Sequence, residues 1–591
     1  MDPAASLPVG LLLALSCVVG ACGREPAPQA RAAFRALITH GEKEGDFAFG
    51  GKVVPGSHSA VGVPRTTLFE APPGPARIEG LLALRKHAHG FSGDHVDVRV
   101  SASVGDGTPV TIATRDLHVP LVPSDNGWHE FAFEIPEAWR GEQVRIDYAS
   151  AFRDPEDPQP TSLAIGGPFL RTHGVRGPPP ADAGIGTPPT TRAGMIGAYG
   201  RSDAHTPVLD RLAAEGTLFE TAYATANATC PSHASLFTSL YLKDHGVVTN
   251  SMRLHHDALT LAELLRADGY ETRAVLSVRM LGQLAGLDQG FASLSGPTSG
   301  EWPGSSAVRE LERTLPERAG APLFLWVHLF DPHTPYDPPE RARARFPGAS
   351  GPAGAHEAEV ERYRAEVSET DTLVGEVLAL LAERGYDRPI VVVTADHGES
   401  LGEHGVSYKH EGIYSVVTRV PLILSGPRVP SGVRVRDGYA SLVDVMPTLL
   451  DLVGVRCPQP LRGRSLLPVA RGKRPAREVV YIEQIQDKAV GLRTLEHLYL
   501  RVLETHQEEG VVHPEGEERL FVLDDDPGEV VDRAAGLPEL TARFRAETQA
   551  WLDQRVSSLS ALRQTLSPEL AAELRAMGYT VSDDVDDGSE Q

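Results

Sequence analysis

The stretch IVVVTADHGESLGEHG, residues 390–405, joins an apolar run to a cluster of polar side chains. IVVVT has the nearly continuous apolar composition of a strand that is buried on both faces. Asp396 and His397 follow this run almost at once. A carboxylate and an imidazole at a strand end suit a divalent cation. The stretch therefore predicts a buried strand that carries metal-binding side chains beyond its carboxyl end.

Similar patterns surround this stretch along the chain. They are strand patterns at 272–277, 323–327 and 421–425 and helical patterns at 206–216, 260–269 and 359–385. Apolar strands that alternate with helices predict a largely parallel sheet with both faces covered. Ligands of such sheets bind outside the carboxyl ends of the strands.

A second informative stretch, residues 228–238, reads ATCPSHASLFT. Thr229 stands two positions before Pro231. A hydroxyl at a loop-to-helix turn, together with the Asp-His pair, indicates a metal-assisted hydrolase of anionic esters. Backbone N–H groups of the helix that starts here are expected to help hold the anion. Two interpretations of Thr229 stay open: a nucleophile, or only the N-cap of the helix.

Residues 192–550 contain an ordered series of strings: LDRLAAEGTLFE, TCPSHASLFTSLYLKDHGV, WVHLFDPHTPYDPP, VVVTADHGESLGEHG, RVPLILSGP, LVDVMPTLLDLVG and LFVLDDDPGE. Together these strings resemble the sulfatase family of the alkaline-phosphatase superfamily. The resemblance implies an α/β fold, with an alkaline-phosphatase-like α/β/α sandwich over residues 192–475. A C-terminal α+β subdomain with an antiparallel sheet is expected over residues 476–560.

The resemblance also implies roles for the residues of the two quoted stretches. Thr229 takes the nucleophile position, and Asp396, His397 and Thr229 take the positions of ligands to one divalent metal ion, Ca, Mg, Mn or Zn. Sulfatases proper use a formylglycine made from Cys or Ser, which threonine cannot form. The related nucleotide pyrophosphatases use Thr in a similar string. Cys230, one residue out of phase, is interpreted as a packing residue.

Further roles implied by the resemblance concern four histidines and a lysine. His333, in FDPHTPY, and His410, in YKHEGIY, are expected to assist the leaving group. The candidate substrate-binding residues are His233, Lys409 and His328. His410 and Lys409 lie where sulfatases place a lysine that contacts the sulfate, so one of the two is expected to supply positive charge.

The sequence departs from the family where the catalytic domain begins. Pro189 stands where the family has a metal-binding aspartate, and Gly194 stands where it has a second acid. Residues 171–191 are rich in Pro, Gly and Ala and are predicted to be a linker with no buried strand. Asp182 is the nearby acid, and its spacing does not match.

These observations support three functional hypotheses. The first is a metal-dependent hydrolase of sulfate esters, acting on a small-molecule or carbohydrate substrate. The second is a phosphodiesterase or another phosphoester hydrolase with a Thr nucleophile. The third is a catalytically inactive, sulfatase-like surface lipoprotein, which the lost acids favour. Metal content separates the third hypothesis from the other two.

The N-terminal third of the chain points to export and to a separate β domain. Residues 1–22 form a signal-peptide pattern that ends in the lipobox-like Val-Gly-Ala-Cys, with Cys22 as the lipidated residue. We therefore expect a bacterial cell-envelope lipoprotein, attached to the membrane through its lipid anchor; the alternative is a secreted or periplasmic protein. Residues 30–170 show alternating short strands typical of a β-sandwich.

The composition sets limits on partners. The formal net charge of −23 disfavours contact with nucleic acid backbones, so we exclude a nucleic acid partner. Four cysteines cannot form a dense disulfide framework. Residues 580–591 form an acidic tail.

Overall fold

The computed structural model describes residues 182–187, 190–457, 459, 461–555 and 562–563, and between residues 44 and 172 it describes nine strands with a few adjoining residues. The chain divides into two compact units, Met1–Gly177 and Pro178–Gln591. The leader with Cys22, Pro189 and the acidic tail lie outside the described residues. Among the described helices, none is long and apolar enough to cross a membrane.

The first unit contains strands where the alternating pattern predicts them. They are β1 (Glu44–Phe49), β2 (Lys52–Ala60), β3 (Arg65–Glu70), β4 (Ala76–Lys86), β5 (His95–Val104), β6 (Val110–His118), β7 (His129–Glu134), β8 (Gln143–Phe152) and β9 (Thr161–Thr172). Two sheets form, one in the order β1-β2-β9-β4-β7 and one in the order β3-β8-β5-β6. Every strand pairing in these sheets is antiparallel. A β-sandwich packing of the two sheets stays a prediction.

The second unit alternates strands and helices along the chain. Its strands are β10 (Ala183–Thr187), β11 (Thr217–Phe219), β12 (Ala222–Tyr223), β13 (Met252–Arg253), β14 (Glu271–Leu276), β15 (Ser293–Ser295), β16 (Leu323–His328), β17 (Ile390–Thr394), β18 (Ser400–Leu401), β19 (Ser407–Lys409), β20 (Arg419–Val420), β21 (Leu422–Ser425), β22 (Val433–Val435), β23 (Ala440–Ser441), β24 (Val479–Glu483), β25 (Ala489–Thr494), β26 (His497–Val502), β27 (His506–Glu508), β28 (Val511–His513), β29 (Glu518–Val522) and β30 (Leu562–Arg563). Its α-helices are α1 (Pro207–Glu215), α2 (Thr229–Thr238), α3 (Leu242–His245), α4 (Leu261–Ala267), α5 (Gly304–Thr314), α6 (Glu340–Arg343), α7 (His356–Glu383), α8 (Ser415–Thr418), α9 (Val445–Val453), α10 (Leu467–Ala470) and α11 (Pro538–Asp553).

The central sheet of this unit has eight strands in the order β15-β14-β16-β10-β17-β21-β11-β22. Strand β21 runs antiparallel to both of its neighbours, and the other pairings are parallel. Helices α1, α5 and α7 contribute to one buried apolar cluster, and α2, α4 and α9 contribute to another. The predicted largely parallel sheet with both faces covered is confirmed.

Local sequence signals account for the helix ends. Thr206 precedes α1, Pro207 is its first residue and Gly216 follows its end, as the pattern predicts. Thr260 and Glu263 form the capping box of α4, with both reciprocal hydrogen bonds present. The pattern at 359–385 left one helix or two open, and the structure has one helix of 28 residues, α7.

The linker prediction was wrong for residues 183–187, because they form β10, a central strand between β16 and β17. The strand reads Ala-Gly-Ile-Gly-Thr, which has low intrinsic β propensity. The position of β10 is set by β16 and β17, because the backbone hydrogen-bonding groups of both strands need a partner between them. Tertiary pairing therefore overrides the local signal of the glycines.

The two glycines of β10 leave space beneath the sheet. Gly184 and Gly186 line an apolar cavity of about 40 Å³, together with side chains of β16, β17 and α7. A Cβ at Gly184 would meet its nearest heavy atom at 3.6 Å and a Cβ at Gly186 at 3.9 Å, both ordinary contact distances. The central strand is therefore underpacked at these two positions.

We expect Gly186→Ala to raise the free energy of unfolding by roughly 0.5–1 kcal/mol, because it restricts the unfolded chain and fills empty apolar space. Thermal and urea unfolding measure the change. Gly216→Ala is the matched control and should destabilise the protein, since a Cβ there would lie 2.0 Å from the Leu424 carbonyl oxygen. A loss of stability in Gly186→Ala would contradict the underpacking.

The C-terminal part of the second unit has the predicted antiparallel sheet. Its four strands run in the order β24-β25-β26-β29, and every pairing is antiparallel. Helix α11 covers the sheet and contributes Phe544 to a buried cluster with Leu492, Tyr499 and Leu520. Trp551, near the end of the same helix, stacks on Tyr481 of β24 at 4.4 Å between ring centroids.

Candidate active site

The candidate site lies beyond the carboxyl ends of β10, β16 and β17, where parallel-sheet proteins bind ligands. Strand β16 ends at His328, and Asp396 follows β17 after one residue. Helix α2, which begins at Thr229, is joined to this edge because Ser232 Oγ donates to the Asp396 carbonyl oxygen at 2.6 Å. Residues far apart in sequence are thus brought to one place.

Asp396 is the carboxylate at the centre of this site, and it is fully buried. Its Oδ1 accepts hydrogen bonds from the amides of Thr190 and His397, at 3.2 and 2.9 Å. Its Oδ2 accepts none from the described residues and lies 3.5 Å from His397 Nε2. Burial alone would raise the pKa of the carboxyl, but His397, His233 and His328 lower it to about 2. Asp396 is therefore anionic, with one oxygen held and the other available.

Three histidines of the site are held in the same tautomer. The Nδ1 atoms of His397, His233 and His333 each lie within 2.7–2.9 Å of a backbone carbonyl oxygen, those of Gly398, Thr229 and Thr334 respectively. A carbonyl oxygen only accepts, so Nδ1 carries the proton in each ring. In the neutral form of each ring, Nε2 then carries the lone pair. This is the state in which an imidazole binds a metal or accepts a proton.

Thr229 is the first residue of α2, and Ala228 occupies the N-cap position. The interpretation of Thr229 as only an N-cap is therefore wrong. Its Oγ1 lies 3.3 Å from His397 Nε2, and the residue is almost completely buried. The neighbouring Cys230 is buried, and its thiol faces the carbonyl oxygen of Asn250 at 3.6 Å. The hydroxyl, not the thiol, faces the Asp-His pair.

The first turn of α2 does not supply the amides that the sequence leads us to expect for an anion. The Cys230 amide donates to Asn250 Oδ1 at 2.9 Å, and the Ser232 amide donates to the Ala228 carbonyl oxygen at 3.0 Å. Pro231 has no amide hydrogen. The amides of Cys230 and Ser232 are therefore not available to an anionic ester.

His410, His333 and His328 also belong to the site. The His410 ring lies 4.4 Å from that of His397 and 6.2 Å from that of His333. Burial lowers the pKa of His410 well below its usual value and lowers the pKa of His333 to about 4. Burial, and after it His233, lowers the pKa of His328 to about 3. These imidazoles are neutral at neutral pH.

Of the predicted substrate-binding residues, the structure does not bring Lys409 into this cluster. Its ammonium pairs with Glu509 at 2.7 Å and with Glu411 at 3.7 Å, and its side chain is 54% exposed. The adjacent His410 is the one that enters the site, where its carbonyl oxygen accepts from Asn227 Nδ2 at 2.9 Å. His233 is fully buried and lies 3.7 Å from Asp396 Oδ2.

The sequence did not reveal a group of residues that holds the Asp396 loop. Tyr363 of α7 is fully buried, and its hydroxyl donates to the Thr190 carbonyl oxygen at 2.7 Å and accepts from the Arg192 amide at 3.0 Å. Arg192 in turn pairs with Glu403 at 2.8 Å. Because the Thr190 amide contacts Asp396, Tyr363 orients the carboxylate indirectly.

Glu399 is a second acid that the sequence analysis missed. It is fully buried, and burial raises its pKa to about 8, against the opposing effect of Arg192. Asp396 raises that pKa further, which reflects the proximity of the two carboxyl groups. Its position three residues after Asp396, inside the quoted stretch, was the signal that could have identified it.

We expect Tyr363→Phe to lower the free energy of unfolding by about 1–3 kcal/mol, because it leaves two buried backbone groups unpaired. It should also weaken any cation-induced rise in Tm, since the Thr190 loop no longer orients Asp396. Tyr199→Phe is the matched control: its buried hydroxyl accepts from the Leu422 amide at 2.7 Å and donates to the Phe219 carbonyl oxygen at 3.2 Å. An equal cation response in both variants would contradict this role of Tyr363.

The donor atoms present fit a divalent cation. Asp396 Oδ2, His397 Nε2 and Thr229 Oγ1 form a chain with separations of 3.5 and 3.3 Å. Ligand atoms bound at about 2.0–2.2 Å around one ion lie at similar spacings. The buried Oδ2 of Asp396, without a hydrogen bond from the described residues, is the further sign of a missing positive partner.

No second carboxylate from the region of β10 reaches this set of donors. Asp182 lies at the amino end of β10, where its Oδ1 accepts from the Leu323 amide at 2.9 Å and its Oδ2 pairs with Arg318 at 3.2 Å. Gly194 is exposed, so an acid at that position would lie at the surface. Mixed nitrogen and oxygen donors with few carboxylates suit Zn²⁺ better than Ca²⁺.

Comparisons with known proteins identify related families and folds. A family model described as Sulfatase matches residues 190–455. The chain is 29% identical to the multifunctional alkaline phosphatase superfamily protein PehA of Trinickia caryophylli, over 45% of this chain and 72% of that protein. It is 33% identical to arylsulfatase K of Bos taurus, over 33% of this chain and 36% of that protein. The chain thus matches little more than a third of the length of arylsulfatase K.

Solved structures establish the fold. The phosphonate monoester hydrolase of Agrobacterium radiobacter superposes with a TM-score of 0.54 at 21% identity, over 63% of this chain and 95% of that one. A protein solved in complex with its substrate D-glucosamine-2-N,6-O-disulfate gives a TM-score of 0.55 at 18% identity. The match covers 63% of this chain and 98% of that one. The sheet and its helical layers are thus alkaline-phosphatase-like, and sulfatases typically use a divalent metal. Residues 190–455 thus belong to the sulfatase family of the alkaline-phosphatase superfamily.

Proposed function

We propose that this protein hydrolyses sulfate esters with Thr229 as the nucleophile and with one divalent cation held by Thr229, Asp396 and His397. The observation that carries the proposal is the 3.3 Å contact between Thr229 Oγ1 and His397 Nε2. It places a hydroxyl against a metal-binding pair in a buried site. The identity of the cation is part of the proposal, and the donor set favours Zn²⁺.

The charges around the site support metal dependence. The site imidazoles with a lowered pKa are neutral, Lys409 is paired elsewhere and Arg192 is paired with Glu403. An anionic ester therefore finds no cationic side chain among these residues. A bound divalent cation would offset the charge of the ester oxygens and lower the pKa of the Thr229 hydroxyl.

The chain's own groups then divide the proton transfers. Thr229 Oγ1 gives up its proton to solvent and attacks the sulfur in line with the leaving oxygen, so that a sulfated threonine forms as the bond from sulfur to that oxygen breaks, and the released oxygen takes up a proton from water. His333 holds its proton at Nδ1 against the Thr334 carbonyl oxygen, so its Nε2 suits the removal of a proton from the water that releases the product. His410 is assigned to the leaving oxygen as a neutral hydrogen-bond donor, because its buried ring lies 4.4 Å from that of His397 and 6.2 Å from that of His333.

A groove beside the site suits the remainder of the substrate. Its volume is about 500 Å³, and its lining includes Tyr336, Arg343 and Arg362. Tyr336 follows His333 by three residues, so one wall of the groove is close in sequence to a histidine of the proposed site. Arg343 Nη2 pairs with Asp337, whereas Arg343 Nε donates to none of the described residues and can donate to a ligand. A polar leaving group such as a carbohydrate is therefore proposed.

Hydrolysis of phosphate diesters or phosphonate monoesters is the second candidate. The Thr229 hydroxyl favours it, because a threonine alkoxide can attack phosphorus and cannot form formylglycine. The structural similarity to a phosphonate monoester hydrolase supports only a shared fold. The single carboxylate of the donor set favours the third possibility, an inactive relative.

A panel of chromogenic esters tests these proposals. We expect the protein to turn over aryl sulfates faster than aryl phosphates and phosphonates. A chelator should abolish this turnover. Turnover of phosphoesters alone would replace the first proposal by the second. An absence of any turnover with Zn²⁺, Mn²⁺, Mg²⁺ or Ca²⁺ present would favour the inactive relative.

We also propose that the protein is exported and anchored through a lipid on Cys22. The support is the lipobox-like sequence Val-Gly-Ala-Cys after a short apolar run. Mass spectrometry of the mature N-terminus should find a diacylglycerol-modified Cys22. Cys22→Ala should release the protein from membrane fractions, and an unmodified N-terminus elsewhere would refute the anchor.

A further inference from the structure

A second group of cation-ligating side chains lies on the loop between β13 and α4. His255, His256 and Asp257 each offer one ligand atom, and the three atoms lie within 4.8 Å of one another. Within the described part of the chain, this is the group of three His, Cys, Asp or Glu residues that meets this spacing. None of its members belongs to the active site.

The distances converge on one oxygen. Asp257 Oδ1 lies 3.2 Å from His256 Nε2 and 3.5 Å from His255 Nδ1. These separations are close to those between ligands bound to one ion at about 2.0–2.2 Å. The Oδ1 atom is itself buried and accepts no hydrogen bond from the described residues. Among the described residues, this oxygen therefore lacks a hydrogen-bond donor.

The backbone holds the three side chains in place before any ion binds. The Ala258 amide donates to the His255 carbonyl oxygen at 2.9 Å, and the Leu254 amide donates to the Ala285 carbonyl oxygen at 2.8 Å. The imidazole rings of His255 and His256 stack at 4.2 Å between centroids. Thr260, which caps α4, fixes the end of the loop. Little ordering entropy remains to be lost on binding.

His255 is already in a ligand state. Its Nδ1 accepts the amide hydrogen of Asp257 at 3.2 Å, so this nitrogen carries a lone pair. A cation would take over that lone pair at the expense of one long hydrogen bond. The side chains of His255, His256 and Asp257 are 22%, 29% and 31% exposed, so an ion can enter from solvent.

We propose that His255, His256 and Asp257 bind a divalent cation of the Zn²⁺ type, with water completing the coordination. Two imidazole nitrogens and one carboxylate oxygen form a donor set that zinc prefers and that Mg²⁺ and Ca²⁺ do not. The site is independent of the proposed catalytic cation.

The cation would also stiffen the approach to the nucleophile. Asn250, which lies just before β13, accepts the Cys230 amide through Oδ1 at 2.9 Å and holds the first turn of α2. A cation at residues 255–257 therefore restrains the segment that supports Thr229. Its role is structural, and it does not contact substrate.

Zinc titration of the full chain with a competing chromogenic chelator tests the site. We expect Asp396→Asn to retain one zinc ion at residues 255–257. His256→Ala and Asp257→Asn, placed in that background, should each weaken this zinc ion at least about tenfold. His356→Ala is the matched control, because its imidazole contacts Tyr408 and lies outside the group.

Circular dichroism and Tm confirm that each variant is folded, which is expected because all three side chains are partly exposed. Zinc binding that His256→Ala and Asp257→Asn leave unchanged would overturn the proposal. An absence of zinc binding at micromolar free zinc in the Asp396→Asn protein would also overturn it. Neither result depends on whether the enzyme turns over an ester.

Discussion

Thr229→Ala is expected to lower kcat/KM for ester hydrolysis by about 10³-fold or more, because it removes the nucleophile from an otherwise intact site. The loss should appear mainly in kcat. Thr229→Ser should retain measurable turnover, since it keeps a hydroxyl at the position that lies 3.3 Å from His397 Nε2. Steady-state kinetics on the preferred ester of the panel measures both variants.

Cys230→Ala is the matched control for the nucleophile. Its thiol lies in the protein interior against the Asn250 carbonyl oxygen, so its removal should cost about 1 kcal/mol of stability and little activity. Turnover that survives Thr229→Ala but not Cys230→Ala would show that the nucleophile is misassigned. Formylglycine at position 230, detected by mass spectrometry, would do the same.

Asp396→Asn is expected to abolish both turnover and cation-induced stabilisation of the active site. The substitution keeps an oxygen for the Thr190 and His397 amides but removes the negative charge at Oδ2. A cation that binds only the folded state adds about 2.7 kcal/mol to the free energy of unfolding when its free concentration is a hundred times its Kd. The corresponding rise in Tm should therefore disappear in the variant.

This measurement is best made in the His256→Ala protein, so that a cation at residues 255–257 does not contribute to Tm. Asp182→Asn is the matched control, since Asp182 is a buried carboxylate at the opposite end of β10 that contacts the Leu323 amide and Arg318. It should lose stability yet keep the cation response. A cation response that Asp396→Asn retains in this background would refute Asp396 as a ligand.

Much of the second unit could be predicted from local pattern. The apolar runs at β16, β17 and β21 and the caps of α1 and α4 lie at the expected places, because each signal acts over a few residues. The Asp-His pair at the end of β17 was found for the same reason. Strand β10 was missed, because its two glycines have low β propensity and its sequence therefore does not resemble a strand.

The sequence by itself determined the family, the alternation of strands and helices, and the residue types that can bind a cation. Only the tertiary structure decided which of them meet. Thr229 and His397 are 168 positions apart and yet lie 3.3 Å from each other. His410 enters the site while Lys409 turns to Glu509, and Tyr363 reaches Thr190 from α7. These contacts depend on strand order and helix packing, which no local pattern encodes, because a central strand and a buried side chain are defined by their neighbours in space.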